Sequence, residues 1–431
     1  MKILIVGGGG REMALVRHEV AHGHDVWCAG ASDAIAELAT PVPLPDDADP
    51  KQRWEKLAHT AAELGIELTI VGPEAPLASG IADVFRECHL AIFAPTQAAA
   101  RIETSKAYAK DVMARSDVPT AAYHLLTSTP DALDYLASDA VHYPSVLKEN
   151  GLRAGKGVTI CADQQQAANV VEHLQLDAEH PLLVEEFLVG FEFSLIVMAD
   201  GERYVALPVA QDHKPIGEGN VGPNTGGMGA VSPVPRVTDA LYQEAIHRVI
   251  EPTLAQLAAQ GHPFTGFLYA GLIATSDGIK VIEFNARLGD PEAEVILPRL
   301  HGDIAQAALS LLAGDTPTLA VTERTCLGIV LSSPGYPGVV TAYPAIPAAL
   351  FEAVESDSDI AIIHMGTQKM NGDDGGVAAE HSWQAHGGRV AIVTALGSDS
   401  ADCRSTLVPL LDAALAESDL YYRRDIGTFA G

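Results

Sequence analysis

Basic residues are scarce in this sequence. Its 27 lysines and arginines stand against 56 aspartates and glutamates, a formal net charge of −29 over 431 residues. A general nucleic-acid binder or a partner for anionic membrane is basic, so both classes are disfavoured. An anionic ligand must then be held by locally placed cations, amides or metal, against the average field. Cysteine is sparse as well. Cys28, Cys88, Cys161, Cys326 and Cys403 lie far apart with no C-x-x-C pair, which disfavours zinc and disulfide frameworks and fits a reducing compartment. No segment approaches the roughly 18–20 apolar residues needed to span a bilayer. The opening MKILIVGG is a short strand-like run without the long apolar stretch of a signal peptide. A soluble, cytoplasmic protein is expected.

Hydrophobic residues make up 48% of the chain and charged residues 19%, so large cores and roughly two to four domains are expected. Residues 1–100 alternate strand and helix patterns. KILIVG (2–7), HDVWCAG (24–30) and LTIVG (68–72) read as strands, with a helix starting near Arg11. This is a parallel α/β unit, in which ligands collect at the carboxyl ends of strands. A central module over 101–325 follows. Ser105 caps a helix from Lys106 to Arg115, YPSVLKENG (143–151) and PLLVEEFL (181–188) read as strands, and Gln164 to Leu176 reads as a helix. Long antiparallel-looking strands come next (FSLIVMA, RYVALPVA, GFLYAGLIAT, KVIEFN), with a helix from Asp239 to Gln260 kinked at Pro252. Residues 326–431 carry their own strands and a helix near 401–416, a small C-terminal α/β domain. The fold class is α/β, with α+β character in the central module.

The segment KVIEFNARLGDPEAE (280–294) says most about chemistry. Val281, Ile282 and Phe284 mark a buried strand, and strand alternation puts Glu283, Asn285 and Arg287 on one side, with Asp290 just past a glycine turn. A carboxylate, an amide and a guanidinium are costly core filling, on the order of 2–7 kcal/mol per unpaired polar group. They suit a hard cation and an anionic ligand, since magnesium takes few protein oxygens and completes its shell with substrate phosphates. A buried ion-pair cluster at a strand end is the other arrangement that fits.

GGGGRE (7–12) fails the G-x-G-x-x-G test: the sixth position is Glu12 counted from Gly7 and Met13 counted from Gly8. A glycine turn feeding a helix still aims backbone N–H groups at an anion, and Arg11 adds charge, so this reads as a phosphate site, or as a plain tight turn. ENGLRAGKGV (149–158) is a Gly-rich loop with Lys148 before it and Lys156 within it. Its spacing is not a Walker loop, and it suits phosphate approach or a solvated hairpin tip. QDHK (211–214) and GPNTGGMGA (222–230) place Asp212, Lys214, Asn224 and Thr225 beside closely spaced glycines, as binding loops on a rigid scaffold do.

Together with VGPEAPL (71–77), SKAYAKD (105–111), VEEFL (184–188), TGFLYAG (265–271), GGRV (387–390) and RRDIG (423–427), these segments resemble the ATP-grasp ligases, and closely the phosphoribosylamine–glycine ligase (glycinamide ribonucleotide synthetase) family. They occur in that family's order over nearly the whole chain. The resemblance implies an N-terminal α/β domain, a split ATP-grasp module with a mobile subdomain at about 120–190, and a small C-terminal domain. It implies ATP-dependent ligation of glycine to 5-phosphoribosylamine through glycyl phosphate, with ATP as co-substrate and magnesium or manganese as the metal. No nucleic-acid or membrane partner is implied, and a monomer is expected. Carried onto this chain, Lys106, Lys148, Gly155, Lys156 and Gly157 hold ATP phosphates, while Glu185, Glu186, Leu188 and Glu192 frame adenosine. Glu283 and Asn285 ligate metal. Arg287, Asp290, Asp212, Lys214 and Asn224, with Thr225, Gly226 and Gly227, orient glycine and the acyl phosphate. Gly9, Gly10, Arg11 and Glu12 with Pro73 and Glu74 receive the phosphoribosylamine.

There are departures. Met13 stands where the family has histidine, Gly8 where asparagine is common, and Ala29-Gly30-Ala31-Ser32-Asp33 replaces the family's P-G-N turn. Glu149, Asn150 and Arg153 alter the Gly-rich loop. The first three fall on the phosphoribosylamine side. The rival readings are a paralogous ATP-grasp ligase using a different amine, and a nucleotide-binding regulatory protein without turnover.

Overall fold

A computed structural model describes residues 1–152, 157–370 and 382–428. The first hundred residues form a parallel five-stranded sheet in the order Thr40–Val42, Asp25–Ala29, Lys2–Val6, Leu68–Val71, Ile92–Phe93. Lys2–Val6 is central because Ile3, Leu4, Ile5 and Val6 are all apolar, so the strand buries both faces. The strand order reverses there, which opens a crevice at the carboxyl ends of Lys2–Val6 and Leu68–Val71. The helix Gly10–Ala21 starts in that crevice, and Glu74 begins another short helix beside it.

The central part holds two antiparallel sheets. One has the order Tyr123–Leu126, Leu182–Glu186, Ser145–Glu149, Val158–Cys161. Leu126, Leu147, Cys161, Leu182 and Val184 pack on the helices Thr129–Leu136 and Gln164–Val171, a small core of its own. The second sheet runs Arg203–Ala206, Phe191–Asp200, Thr265–Thr275, Gly278–Asn285, and shares a core with one face of the N-terminal sheet. A third sheet crosses position 325: Gln211–Asp212 and Gly229–Ser232 join Thr325–Ser332, Arg389–Gly397 and Ile360–His364. The loops carrying Asp212 and Thr225 are thus anchored on strands from the last hundred residues.

Two helices differ from the sequence expectation. The segment expected to run to Leu176 ends at Val171, because the His173 ring takes the Asn169 carbonyl at 2.7 Å, an oxygen that continued helix would use. The helix expected over Asp239–Gln260 is interrupted by a π-helical turn at Ile246–Ile250. Pro252 lacks the N–H that would bond the Arg248 carbonyl, and the wider turn relieves the clash there.

Arg423 closes the chain onto the central loops. Its guanidinium is fully buried and donates to Asp425 (2.8 and 2.7 Å), to the Pro215 carbonyl (2.8 Å) and to Asn220 (2.9 Å). Asp425 also accepts from Gly219 N–H at 2.7 Å, and the Gly427 N–H donates to His213 Nε2 at 3.1 Å. Burial pushes the His213 imidazole down to about 4, so it stays a neutral acceptor. Removing one partner of a buried ion pair costs about 3–5 kcal/mol. Arg423→Met is expected to lose stability on that scale in urea unfolding; a change below about 1 kcal/mol would show that the clasp is dispensable.

Candidate active site

The sheet ending in Glu186 and the sheet ending in Asn285 meet over a cleft of about 390 Å³ that continues to the N-terminal crevice. A local fault in the Gly278–Asn285 strand decides what points into it. Its pairing with Thr265–Thr275 slips between Gly271 and Leu272, so Ile282 is an extra, bulged residue. Before the bulge the odd-numbered Ile279 and Val281 face the core; after it the even-numbered Phe284 and Ala286 do. The bulge therefore turns Glu283 and Asn285 out of the core and into the cleft. Unbroken alternation, as expected from sequence, would have put Glu283 on the same face as buried Val281.

Among the described residues, the Glu283 carboxylate and the Asn285 amide have no hydrogen-bond or ion-pair partner. Burial favours the neutral form of Glu283, but Lys214, Lys148, Lys106 and Arg287 outweigh it and hold the carboxyl below its usual range. An ionised carboxylate and an amide oxygen, facing a cleft and otherwise unsatisfied, fit a hard divalent cation that draws its remaining ligands from phosphate.

Lys148 ties the two sheets together. Its ammonium donates to the Ile282 carbonyl at 2.9 Å and pairs with Glu185 at 2.8 Å; Glu185 also pairs with Lys110 at 3.0 Å. Burial pushes the Lys110 ammonium down to about 8, with Glu185 opposing the shift. Lys106 starts the helix Lys106–Arg115, capped by Ser105, whose hydroxyl accepts from Tyr108 N–H at 3.2 Å as expected. Its ammonium reaches the Gly151 carbonyl at 3.1 Å, and Asn150 accepts from Ala107 N–H at 3.2 Å, so the Gly-rich loop is moored to this helix at its first residues. Gly157 lines the cleft, whereas Gly155 and Lys156 lie outside the described residues. Met113, Leu152, Val158 and Ile282 give this end an apolar wall.

At the other end, Arg287 pairs with Glu103 at 2.9 Å and Glu74 at 3.1 Å. Arg11 donates to the Leu288 carbonyl at 3.0 Å, and Glu12 accepts from Gly9 N–H at 2.6 Å. Asp290 pairs with Arg389 at 2.8 Å, and Arg389 also holds the Gly226 carbonyl at 2.7 Å. Gly227 sits at φ +112 against Pro291, where a Cβ would come within 2.4 Å of the proline ring. Thr225 folds its hydroxyl onto the Lys214 carbonyl at 2.7 Å. Asp212 is pushed up to about 7 by burial and by Glu292, Glu192 and Glu283, with Lys214 opposing. Lys214 is raised because Asp212, Glu192, Tyr269 and Glu283 overcome its burial.

The cleft thus gathers Arg11, Glu74, Lys106, Lys148, Gly157, Glu185, Asp212, Lys214, Thr225, Gly226, Glu283, Asn285, Arg287 and Asp290. Gly9, Gly10, Glu12 and Pro73 lie at the N-terminal crevice next to Arg11 and Glu74 and do not line the cleft. Asn224 is exposed at the end of the strand Val221–Asn224, Leu188 lies beyond the strand Leu182–Glu186, and Glu192 pairs with Lys214 at 3.4 Å without lining the cleft. Glu186 is turned to the outer edge, paired with Lys280 at 2.6 Å. Sequence reasoning missed Glu103, Lys110, Tyr269, Glu292 and Arg389. Ser194 and Tyr269 both donate to Glu292, at 2.9 and 3.0 Å, a buried network beside Asp212. Lys110, Tyr269, Glu292 and Arg389 lay within the quoted segments SKAYAKD, TGFLYAG, KVIEFNARLGDPEAE and GGRV without being singled out, and Glu103 lay in none of them. Seven basic side chains line the cleft against seven acidic ones, while the whole chain has 27 against 56.

A cleft between two antiparallel sheets, with lysines on one wall and a carboxylate–amide pair on the other, beside a parallel α/β domain, defines an ATP-grasp enzyme. The chain belongs to the phosphoribosylglycinamide synthetase family: its N domain matches residues 1–103, its ATP-grasp (A) domain 104–293 and its C domain 326–429. Phosphoribosylamine–glycine ligase of Yersinia pestis is 40% identical over 99% of this chain and 98% of its own length. The same ligase of Lactococcus lactis is 39% identical over the full length of both. The crystal structure of phosphoribosylamine–glycine ligase from Thermotoga maritima superposes with a TM-score of 0.80 at 25% identity, covering 99% of this chain and 100% of that one.

Two departures from the family turn out to be linked. A Cβ at Gly8 would lie 2.3 Å from the Gly30 carbonyl oxygen, and Gly30 itself sits at φ +82. The turn after the second strand packs against position 8 so closely that only glycine fits there without a shift of backbone. Gly8→Ala is expected to cost about 1–3 kcal/mol through overpacking, read as a lower midpoint in thermal unfolding. An unchanged midpoint would uncouple the two departures.

Proposed function

We propose that the chain ligates glycine to 5-phosphoribosylamine at the expense of ATP, giving glycinamide ribonucleotide, ADP and phosphate in purine biosynthesis. The observation that carries this reading is the Glu283–Asn285 pair, without hydrogen-bond or ion-pair partner among the described residues, facing Lys148, Lys106 and Lys214 across one cleft. In this reading Glu283 and Asn285 hold Mg²⁺ or Mn²⁺, which when bound screens the terminal phosphate oxygens of ATP. Lys106 and Lys148 neutralise the phosphates, and the apolar wall at Met113, Leu152 and Val158 takes the base. The sheet Tyr123–Glu186 acts as the mobile lid over the nucleotide. Ionised Asp212 receives the glycine ammonium; Arg287 and the Thr225–Gly227 loop orient its carboxylate. That carboxylate attacks the γ-phosphorus, ADP leaves, and the ribosylamine then adds to the acyl carbon and expels phosphate. Neither step needs a protein nucleophile, so catalysis is positioning and charge neutralisation. Gly9–Glu12 with Glu74 receive the phosphoribosylamine. The reaction is assigned to the cytoplasm and to a monomer, with no nucleic-acid or membrane partner; no helix among the described residues is long and apolar enough to cross a membrane.

A coupled ADP assay with glycine and phosphoribosylamine omitted in turn tests the assignment: ADP must depend on both. ADP release with another amine in place of phosphoribosylamine would favour the paralogue reading. Glu283→Gln is expected to lower metal-dependent turnover by at least about a hundredfold while nucleotide binding by calorimetry survives. Near-normal activity would remove Glu283 from the metal.

The raised Asp212 carboxyl sets a pH dependence. Its folded value of about 7 exceeds the ordinary 3.8, so it opposes folding progressively as pH rises through that window, and above pH 7 the loss is complete. Activity runs the other way, since the ammonium needs the ionised form. The kcat/KM for glycine is expected to rise through pH 7, and a flat profile from 6 to 8 would free Asp212 from this role.

A further inference from the structure

Away from the cleft, the helix Gly10–Ala21 ends in the histidine-rich stretch His18-Glu19-Val20-Ala21-His22-Gly23-His24. Its first five residues spell H-E-x-x-H, a pattern that sets two imidazoles on one helix face for zinc. Those rings lie 4.3 Å apart, but their nitrogens are aimed at backbone carbonyls and not at a common point. His18 Nε2 lies 3.1 Å from the Gly302 carbonyl, and His22 Nδ1 lies 2.8 Å from the His18 carbonyl.

Three other groups do converge. His24 Nε2 is 2.7 Å from Asp303 Oδ2 and 3.5 Å from Glu19 Oε2, and the three ligand atoms lie within 4.8 Å of one another. Glu19 is fully buried, and neither of its carboxylate oxygens has a hydrogen-bond partner. A carboxyl placed that way is neutralised either by a proton or by a cation. Asp303 commits Oδ1 to the Gln306 N–H at 2.8 Å, capping the helix Ile304–Leu312, and this leaves Oδ2 to face the ring.

We propose that Glu19, His24 and Asp303 bind a divalent transition metal of the zinc class, distinct from the nucleotide cleft, and that the metal clasps the first helix to the helix Ile304–Leu312. One imidazole and two monodentate carboxylates suit zinc, with water as fourth ligand, better than magnesium, which prefers an all-oxygen shell. The clasp joins the N-terminal sheet to the segment that leads into the C-terminal strands. It stands independently of the ligase reading.

The test uses the full chain, stripped with a chelator and titrated with ZnCl₂ by calorimetry without nucleotide, with thermal unfolding in parallel. The expected result is saturable binding near one equivalent, retained in Glu283→Gln and weakened at least tenfold in Glu19→Gln and His24→Gln. Asp303→Asn, which can keep the helix cap, is expected to weaken binding as well and guards against misfolding of the buried variants. X-ray absorption of the zinc-loaded protein is expected to show a nitrogen–oxygen shell with one imidazole. Absence of saturable binding would overturn the proposal, and the three carboxylate and imidazole variants binding like the parent chain would do so too. Loss of binding in Glu283→Gln would place the zinc in the nucleotide cleft and equally overturn it.

Discussion

The site depends on one misfit in a strand. The extra residue at Ile282 reverses which side chains of Gly278–Asn285 meet the core, and its carbonyl is the one that Lys148 takes from across the cleft. Without the bulge, Glu283 would share a face with Val281, inside a core of aliphatic and aromatic side chains. One irregularity thus aims the acidic and amide oxygens and joins the two walls. The same lysine carries a second bond, to Glu185, so wall and counter-wall are held by a charged chain from Lys110 through Glu185 and Lys148 to a backbone oxygen. Such a chain is dear to desolvate and tolerates the loss of no member.

The overall acidity of the chain sharpens the point. With a net charge of −29, nothing in the average field draws a nucleotide inward. Attraction is local: the cationic side chains are drawn into the cleft, and several are pre-paired. Arg287 with Glu103 and Glu74, and Arg389 with Asp290, hold guanidinium planes in place without a ligand. Preorganised charge of this kind needs little rearrangement when an anion arrives.

The sequence showed the parallel N-terminal unit, the helix cap at Ser105 and most of the charged residues that line the cleft, through local signatures or through the family resemblance. Alternating strand and helix patterns, a serine before a helix, or a carboxylate within an apolar strand can be read in one dimension. The bulge could not, since Val281, Ile282 and Phe284 are all apolar and give no hint of which one is extra. Glu103, Lys110 and Glu292 were missed for a related reason: each lies on a helix or a helix start, where a charged residue ordinarily faces water. The apolar wall at Met113, Leu152 and Val158 is indistinguishable in sequence from core. The link between Gly8 and Gly30 is a contact between two turns and exists only in three dimensions.

Arg423 holds Pro215 and Asn220 from 208 and 203 residues further along the chain. During synthesis the hairpin beside Lys214 and Thr225 therefore waits, its anchor still untranslated, long after the lysine wall and the Glu283 strand have left the ribosome. The loops around Lys214 and Thr225 thus gain their buried anchor only once a segment 203 to 208 positions further on has been made.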